Sequence, residues 1–188
     1  MKHPIYFFIT LLLTTTLFGQ ITDSEKEREF GGPSVKITKF NNESSTLVGG
    51  LGGWFITDNI AVGVAGYGLV SNLEVPSVAI SKSSEFDFGY GGFMFYYTKP
   101  LNEYLFLSGN VLIGGGKFSF DHELEGISSE DEVFVLEPSL EFSFKTFDFL
   151  KIGIAGNYRY IYGVDVPSLS DSKMSDFSAQ INFTFGSF

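Results

Sequence analysis

Two groups of residues in this sequence have the types and spacing to do chemistry. The first is a set of charges that alternate with apolar residues. Glu137 and Glu141 are interleaved with Leu136, Pro138, Leu140 and Phe142. Lys151 and Arg159 are interleaved with Ile152, Ile154, Tyr158 and Tyr160, and Asp87 sits between Phe86 and Phe88. Successive side chains of an extended strand point to opposite faces. The spacing therefore predicts that Asp87, Glu137, Glu141, Lys151 and Arg159 occupy the polar faces of neighbouring strands. Carboxylates and cations enclosed together either pair or form a gate or a proton or ion path. An unpaired buried charge costs several kcal/mol, which favours a paired, immobile network.

The second group is the acidic stretch Asp121-His122-Glu123-Leu124-Glu125, continued by Glu130, Asp131 and Glu132. Asp121, Glu123, Glu125, Glu130 and Asp131 offer the carboxylate oxygens that Ca²⁺ or Mg²⁺ takes. Their spacing matches no EF-hand loop. A solvated surface loop is the expectation, with no metal and no cofactor. His122 is the only histidine after His3. A Ser-His-acid hydrolase would have to use it with Ser119, Ser128 or Ser129 and with Glu123 or Glu125. A triad is defined by geometry rather than by composition, so a non-catalytic protein is expected. Gly49-Gly50, Gly52-Gly53 and Gly114 to Gly116 lack the Lys-Ser/Thr of a phosphate loop; glycine in a sheet wall instead allows close neighbours and curvature.

The elements that must hold these residues read as strands. Phe177, Ala179, Ile181, Phe183 and Phe185 alternate with Ser178, Gln180, Asn182 and Thr184. Similar runs cover roughly 33–41, 45–57, 60–73, 84–98, 104–120, 132–145, 150–163 and 175–186. Short connections (57–59, 99–103 and 146–149) alternate with longer polar ones (74–83, 121–131 and 164–174). The fourth run sets Phe86, Phe88, Tyr90 and Met94 against Asp87, Gly89 and Gly91. The fifth suggests a face switch and bulge near Gly114 to Gly116, and Pro138 a local irregularity. Tyr96, Tyr97, Tyr104, Tyr158, Tyr160 and Tyr162 suit interfacial girdles.

Lys2, the apolar run Pro4 to Phe18 and Gly19 read as a signal peptide over residues 1–19. It is followed by a flexible polar leader (20–31) and one domain (32–188). The run is too short for a membrane-spanning helix. With 22 acidic and 12 basic residues the charge is −10, and −11 once Lys2 is removed. That excess argues against nucleic acid. The absence of Cys excludes disulfides and thiolate metal sites. The fold expected is all-β: an eight-stranded antiparallel up-and-down transmembrane barrel, apolar outside and polar inside. A soluble lipocalin-like barrel, with its phenylalanines turned inward, is the rival.

The stretch Gly53-Trp54-Phe55-Ile56-Thr57-Asp58-Asn59-Ile60-Ala61-Val62-Gly63 resembles the early hairpin of small bacterial outer-membrane barrels of the OmpA/OmpX type. Glu137-Pro138-Ser139-Leu140 and the aromatic C-terminal strand are similar to theirs as well, although Phe188 is out of phase with Phe185 and Phe183. The resemblance implies outer-membrane residence, contact with lipid and lipopolysaccharide, and insertion by the barrel-assembly machinery. Both termini are then periplasmic and the acidic loops external. The function expected is envelope structure or surface interaction through loops whose partner the sequence leaves open. Alternatives are a narrow pore for small or apolar solutes and a lipid-modifying hydrolase built on His122.

Overall fold

The computed structural model describes residues 28–40, 43–70, 86–121, 128–164 and 171–186. Eight strands follow in order: β1 (Glu29–Phe40), β2 (Glu43–Phe55), β3 (Ile60–Leu69), β4 (Phe86–Pro100), β5 (Leu105–Asp121), β6 (Ser128–Phe147), β7 (Leu150–Tyr162) and β8 (Asp176–Gly186). One short helix, α1 (Asp171–Met174), lies between β7 and β8. Each strand pairs antiparallel with the next, and β8 pairs with β1, so the sheet closes. Carried once round the wall, the register runs from Glu29 through Trp54, Val62, Phe95, Val111, Pro138, Tyr158 and Phe177 to Lys39, ten residues further along β1. Such a stagger obliges the strands to tilt steeply, and a barrel of eight strands has a lumen that side chains can fill.

Side-chain chemistry fixes the tight turns. Asn102 Oδ1 accepts from the amides of Tyr104 and Leu105, both at 2.9 Å, in an Asx turn before β5. Thr57 Oγ1 accepts from Ile60 N at 3.1 Å and Asn59 Nδ2 donates to Thr98 O at 2.8 Å, which ties the β2–β3 turn to β4. The wall has two local gaps in its pairing, at Gly32-Pro33 between β1 and β8 and at Glu137-Pro138 between β6 and β7. Proline has no N–H to donate, and the register is the same on both sides of each gap. A true register shift falls instead between Lys145 and Phe147.

The apolar faces look outward. Phe93, Phe95, Phe134, Phe142, Phe144, Phe177, Phe183 and Phe185 are exposed, Phe93 to 74%. The rival arrangement, with phenylalanines gathered inside, is not what forms. Glycines let the wall fold tightly where inward side chains would collide. Gly53 faces Gly63 across β2–β3, and Gly92 faces Gly114 across β4–β5. A Cβ on Gly114 would lie 2.0 Å from Gly91 O, and one on Gly92 would lie 2.3 Å from Ile113 O.

Four expectations are corrected. β5 keeps one inward face throughout, from Ser108 and Leu112 to Phe118, and its pairing with β4 and β6 is uninterrupted, so no bulge occurs at Gly114 to Gly116. The apparent switch arises because inward residues turn aromatic near the loops. In β4 the parity is right but the side is reversed: Phe88, Tyr90 and Met94 point inward and Asp87 is exposed on the outer face. Tyr96 also points inward, so it belongs to no girdle, whereas Tyr97, Tyr104, Tyr160 and Tyr162 are exposed. β1 begins at Glu29, so the last residues of the expected leader are part of the wall. Residues 1–27, His122, Glu123, Glu125 and Phe188 lie outside the described residues.

Candidate functional site

The lumen has two unlike halves. β2 to β5 contribute mainly Leu47, Leu51, Ala61, Ala65, Met94 and Leu112. β1, β6, β7 and β8 contribute the polar half, including Ser34, Lys36, Glu137, Glu141, Gln180 and Asn182, all buried. The polar half follows directly from alternation. Ser34, Lys36 and Thr38 share the face of β1 opposite Val35 and Ile37, and Ser178, Gln180, Asn182 and Thr184 share the inward face of β8.

At the centre Lys36 forms an ion pair with Glu137. Tyr90 Oη, reaching across from the apolar half, donates to Glu137 Oε2 at 2.6 Å and lies 3.1 Å from Lys36 Nζ. Lys36 Nζ also stands 3.3 Å from the centre of the Tyr67 ring. An ammonium over an aromatic face is attracted by the ring quadrupole, more strongly where water is excluded. Each member of this cluster thus meets a group of complementary charge or polarity. That is the condition under which buried ions persist.

A second cluster lies beside it. Asn182 Nδ2 donates to Glu141, and Asn182 Oδ1 accepts from Gln180 and, at 2.6 Å, from Ser34 Oγ. Gln180 Nε2 also donates to Tyr67 Oη at 3.1 Å, linking the two clusters. Gly153 makes the room: a Cβ there would sit 2.6 Å from the carboxyl carbon of Glu141. Lys151 is buried nearer the short turns, its Nζ 3.5 Å from the centre of the Phe106 ring. Arg159, also buried, donates to Met174 O and Thr38 Oγ1 near the loop end.

The structure therefore brings Glu137, Glu141, Lys151 and Arg159 into one enclosed interior. Asp87 is not among them. Its position near the end of β4 turns its side chain to the outside, beyond the apolar part of the wall. Sequence reasoning missed Lys36, Tyr67 and Tyr90. Lys36 was readable from its place between Val35 and Ile37. The tyrosines were not, because their rings match the outward aromatic pattern while their hydroxyls serve the interior. Of the acidic stretch, Asp121 pairs in register with Ser128, Glu130 with Ser119 and Asp131 with Phe118. Among the described residues no group of three or more His, Asp or Glu side chains is placed to hold a metal ion. Chemically the centre of the lumen is one ion pair, Lys36–Glu137, set among hydrogen-bonded hydroxyl, amide and carboxyl groups.

No protein-family model matches the chain, and no curated protein matches it in sequence. Solved structures do match in shape. Neisserial surface protein A superposes with a TM-score of 0.58 at 11% identity, over 87% of this chain and 97% of that one. The attachment invasion locus protein of Yersinia pestis, solved with the heparin analogue sucrose octasulfate, gives 0.55 at 15% identity, over 85% and 96%. The N-terminal β-barrel domain of Pseudomonas aeruginosa OprF gives 0.54 at 9%, over 85% and 98%. All three are eight-stranded outer-membrane barrels. Closed topology, strand number and near-complete coverage agree: this chain has the fold of the small eight-stranded outer-membrane β-barrels.

Proposed function

We propose that the protein resides in a bacterial outer membrane as a non-catalytic barrel with a closed, charge-paired lumen, and that it serves envelope structure or surface interaction through the connections at its loop end. One observation carries this: the outward wall has a belt of exposed Ile, Leu, Val and Phe side chains, while Lys36, Glu137, Glu141, Lys151 and Arg159 are inside. Water disfavours such a belt at roughly 25 cal/mol per Å² of apolar surface; a bilayer accepts it. Exposed Trp54, Tyr97 and Tyr104 near the short turns, and Tyr160 and Tyr162 near the loops, fit two aromatic girdles. Export by a cleaved signal peptide, periplasmic termini, insertion by the assembly machinery and contact with lipopolysaccharide belong to the same reading.

Cell fractionation with a gel mobility assay tests the placement. The protein is expected in the outer-membrane fraction, running faster unboiled than boiled. Recovery in the soluble periplasm without detergent would overturn it. Planar-bilayer recording tests the closed lumen: no conductance steps are expected, and regular steps would establish a pore instead.

A further inference from the structure

The mouth of the lumen at the loop end holds a side chain that is bound there as a ligand would be. Met174, the last residue of α1, is 1% exposed. It joins the apolar cluster that includes Leu47, Phe88, Phe118, Val135 and Ile161. Its carbonyl oxygen accepts from Arg159 Nε at 3.4 Å and Arg159 Nη2 at 3.3 Å. An apolar tail thus lies in an apolar recess and an acceptor oxygen lies in a guanidinium fork. Among the described residues, α1 is also held by Ser175 Oγ, which accepts from Ile161 N at 2.9 Å, and by Asp171 Oδ1, which accepts from Val164 N at 3.0 Å. Four helical residues have little stability of their own, so the seating of α1 depends on what Met174 and its neighbours touch.

We infer that this mouth is a binding site for an amphiphile with a hydrocarbon end and a carboxylate, and that Met174 is its built-in occupant. The hydrocarbon end takes the place of the methionine side chain. The carboxylate takes the place of the peptide oxygen in the Arg159 fork, where two charge-assisted hydrogen bonds replace two bonds to a neutral carbonyl. A thioether is a soft, adaptable filler, suited to leaving and returning. The site lies above the Lys36–Glu137 pair, since Val135 and Thr38 are each two residues loopward of those ions. Occupying it therefore leaves the central lock in place, and the closed lumen of the proposed function is unaffected.

The test uses the absence of native cysteine. Ile161→Cys, in the full protein reconstituted in vesicles, is treated with a membrane-impermeant sulfonated maleimide. With Met174 present the thiol is expected to resist labelling. Met174→Gly in the same background should speed labelling by about tenfold or more, because protection then depends on local opening alone. Decanoate below its micellar concentration should restore protection, and decanol at equal concentration should not. Val135→Cys serves as reporter if Ile161→Cys fails to fold, as judged by gel mobility before boiling. No rise in labelling with Met174→Gly refutes the stopper. A rise without decanoate protection, or equal protection by decanol, refutes the carboxylate site.

Discussion

Removing Glu137 measures what the central lock contributes. Lys36 is fully buried and Glu137 is 3% exposed, so neither ion is stabilised by bulk water. Glu137→Ala leaves the Lys36 ammonium without its counter-ion, a loss that costs ~3–5 kcal/mol for a buried pair. It also strips Tyr90 Oη of its acceptor, which adds about 1 kcal/mol. The total is a large share of the ~5–15 kcal/mol by which a domain is folded. Glu137→Gln keeps an acceptor for both donors and loses only the charge, so its cost should be smaller. Lys36→Met with Glu137→Leu removes both ions and fills the space. That pair should return to within about 2 kcal/mol of wild type, the remainder being the Tyr90 hydroxyl left without its acceptor, as other buried pairs replaced by apolar residues have been neutral or stabilising. Urea-induced unfolding from lipid vesicles reads the difference. Trp54, the only tryptophan and 58% exposed on the outer face, reports leaving the bilayer. The reasoning fails if Glu137→Ala lies within about 1 kcal/mol of wild type, or if the double variant is as unstable as the two single effects combined.

Ile154→Arg, at an outward site exposed to 67%, should cost ~2–4 kcal/mol in the same unfolding assay, the depth-dependent penalty of a cation on a lipid-facing wall. A neutral result would mean that water, not lipid, meets this face. Gly114→Ala should prevent the heat-modifiable species from forming or lower its yield sharply, because the added carbon collides with Gly91 O. Gly156→Ala, which meets nothing within 4 Å, should be tolerated or should stabilise by about 0.5 kcal/mol, the usual gain over glycine in a strand interior. Lys151→Met should affect stability less than Glu137→Ala, since Lys151 lies against the Phe106 ring near the turns rather than in the central pair; comparison of their urea midpoints decides it.

The eight strands were legible because alternation and turn chemistry agree along most of the chain. The largest boundary differences, at Glu29, Leu69 and Ser128, fall where strands run out into polar sequence. Sidedness was legible in β6, β7 and β8, where charges and amides mark the interior. It failed in β4, where Phe88 and Tyr90 point in while Phe93 and Phe95 point out. Hydrophobicity cannot separate those faces, because the loop end of the lumen is filled by stacked rings: Phe88 lies 4.5 Å from Phe118 and 5.4 Å from Tyr90, centre to centre. Of the central cluster only Glu137 was therefore named, from its charge. Its meeting with Lys36, Tyr67 and Tyr90 depended on which strands closure places opposite one another, and no local pattern encodes that.

The interior contacts join residues far apart along the chain. Lys36 and Glu137 are 101 positions apart, Tyr67 and Gln180 are 113, and Ser34 and Asn182 are 148. None can form in an open ribbon of strands. Until β8 meets β1, that ribbon holds the Lys36 ammonium apart from the Glu137 carboxylate and carries two bare edges that hydrocarbon cannot solvate. Half-closed intermediates are penalised on both counts, so the last seam and the burial of the ions must happen together. The same residues that stiffen the finished cylinder make its closure an all-or-none event.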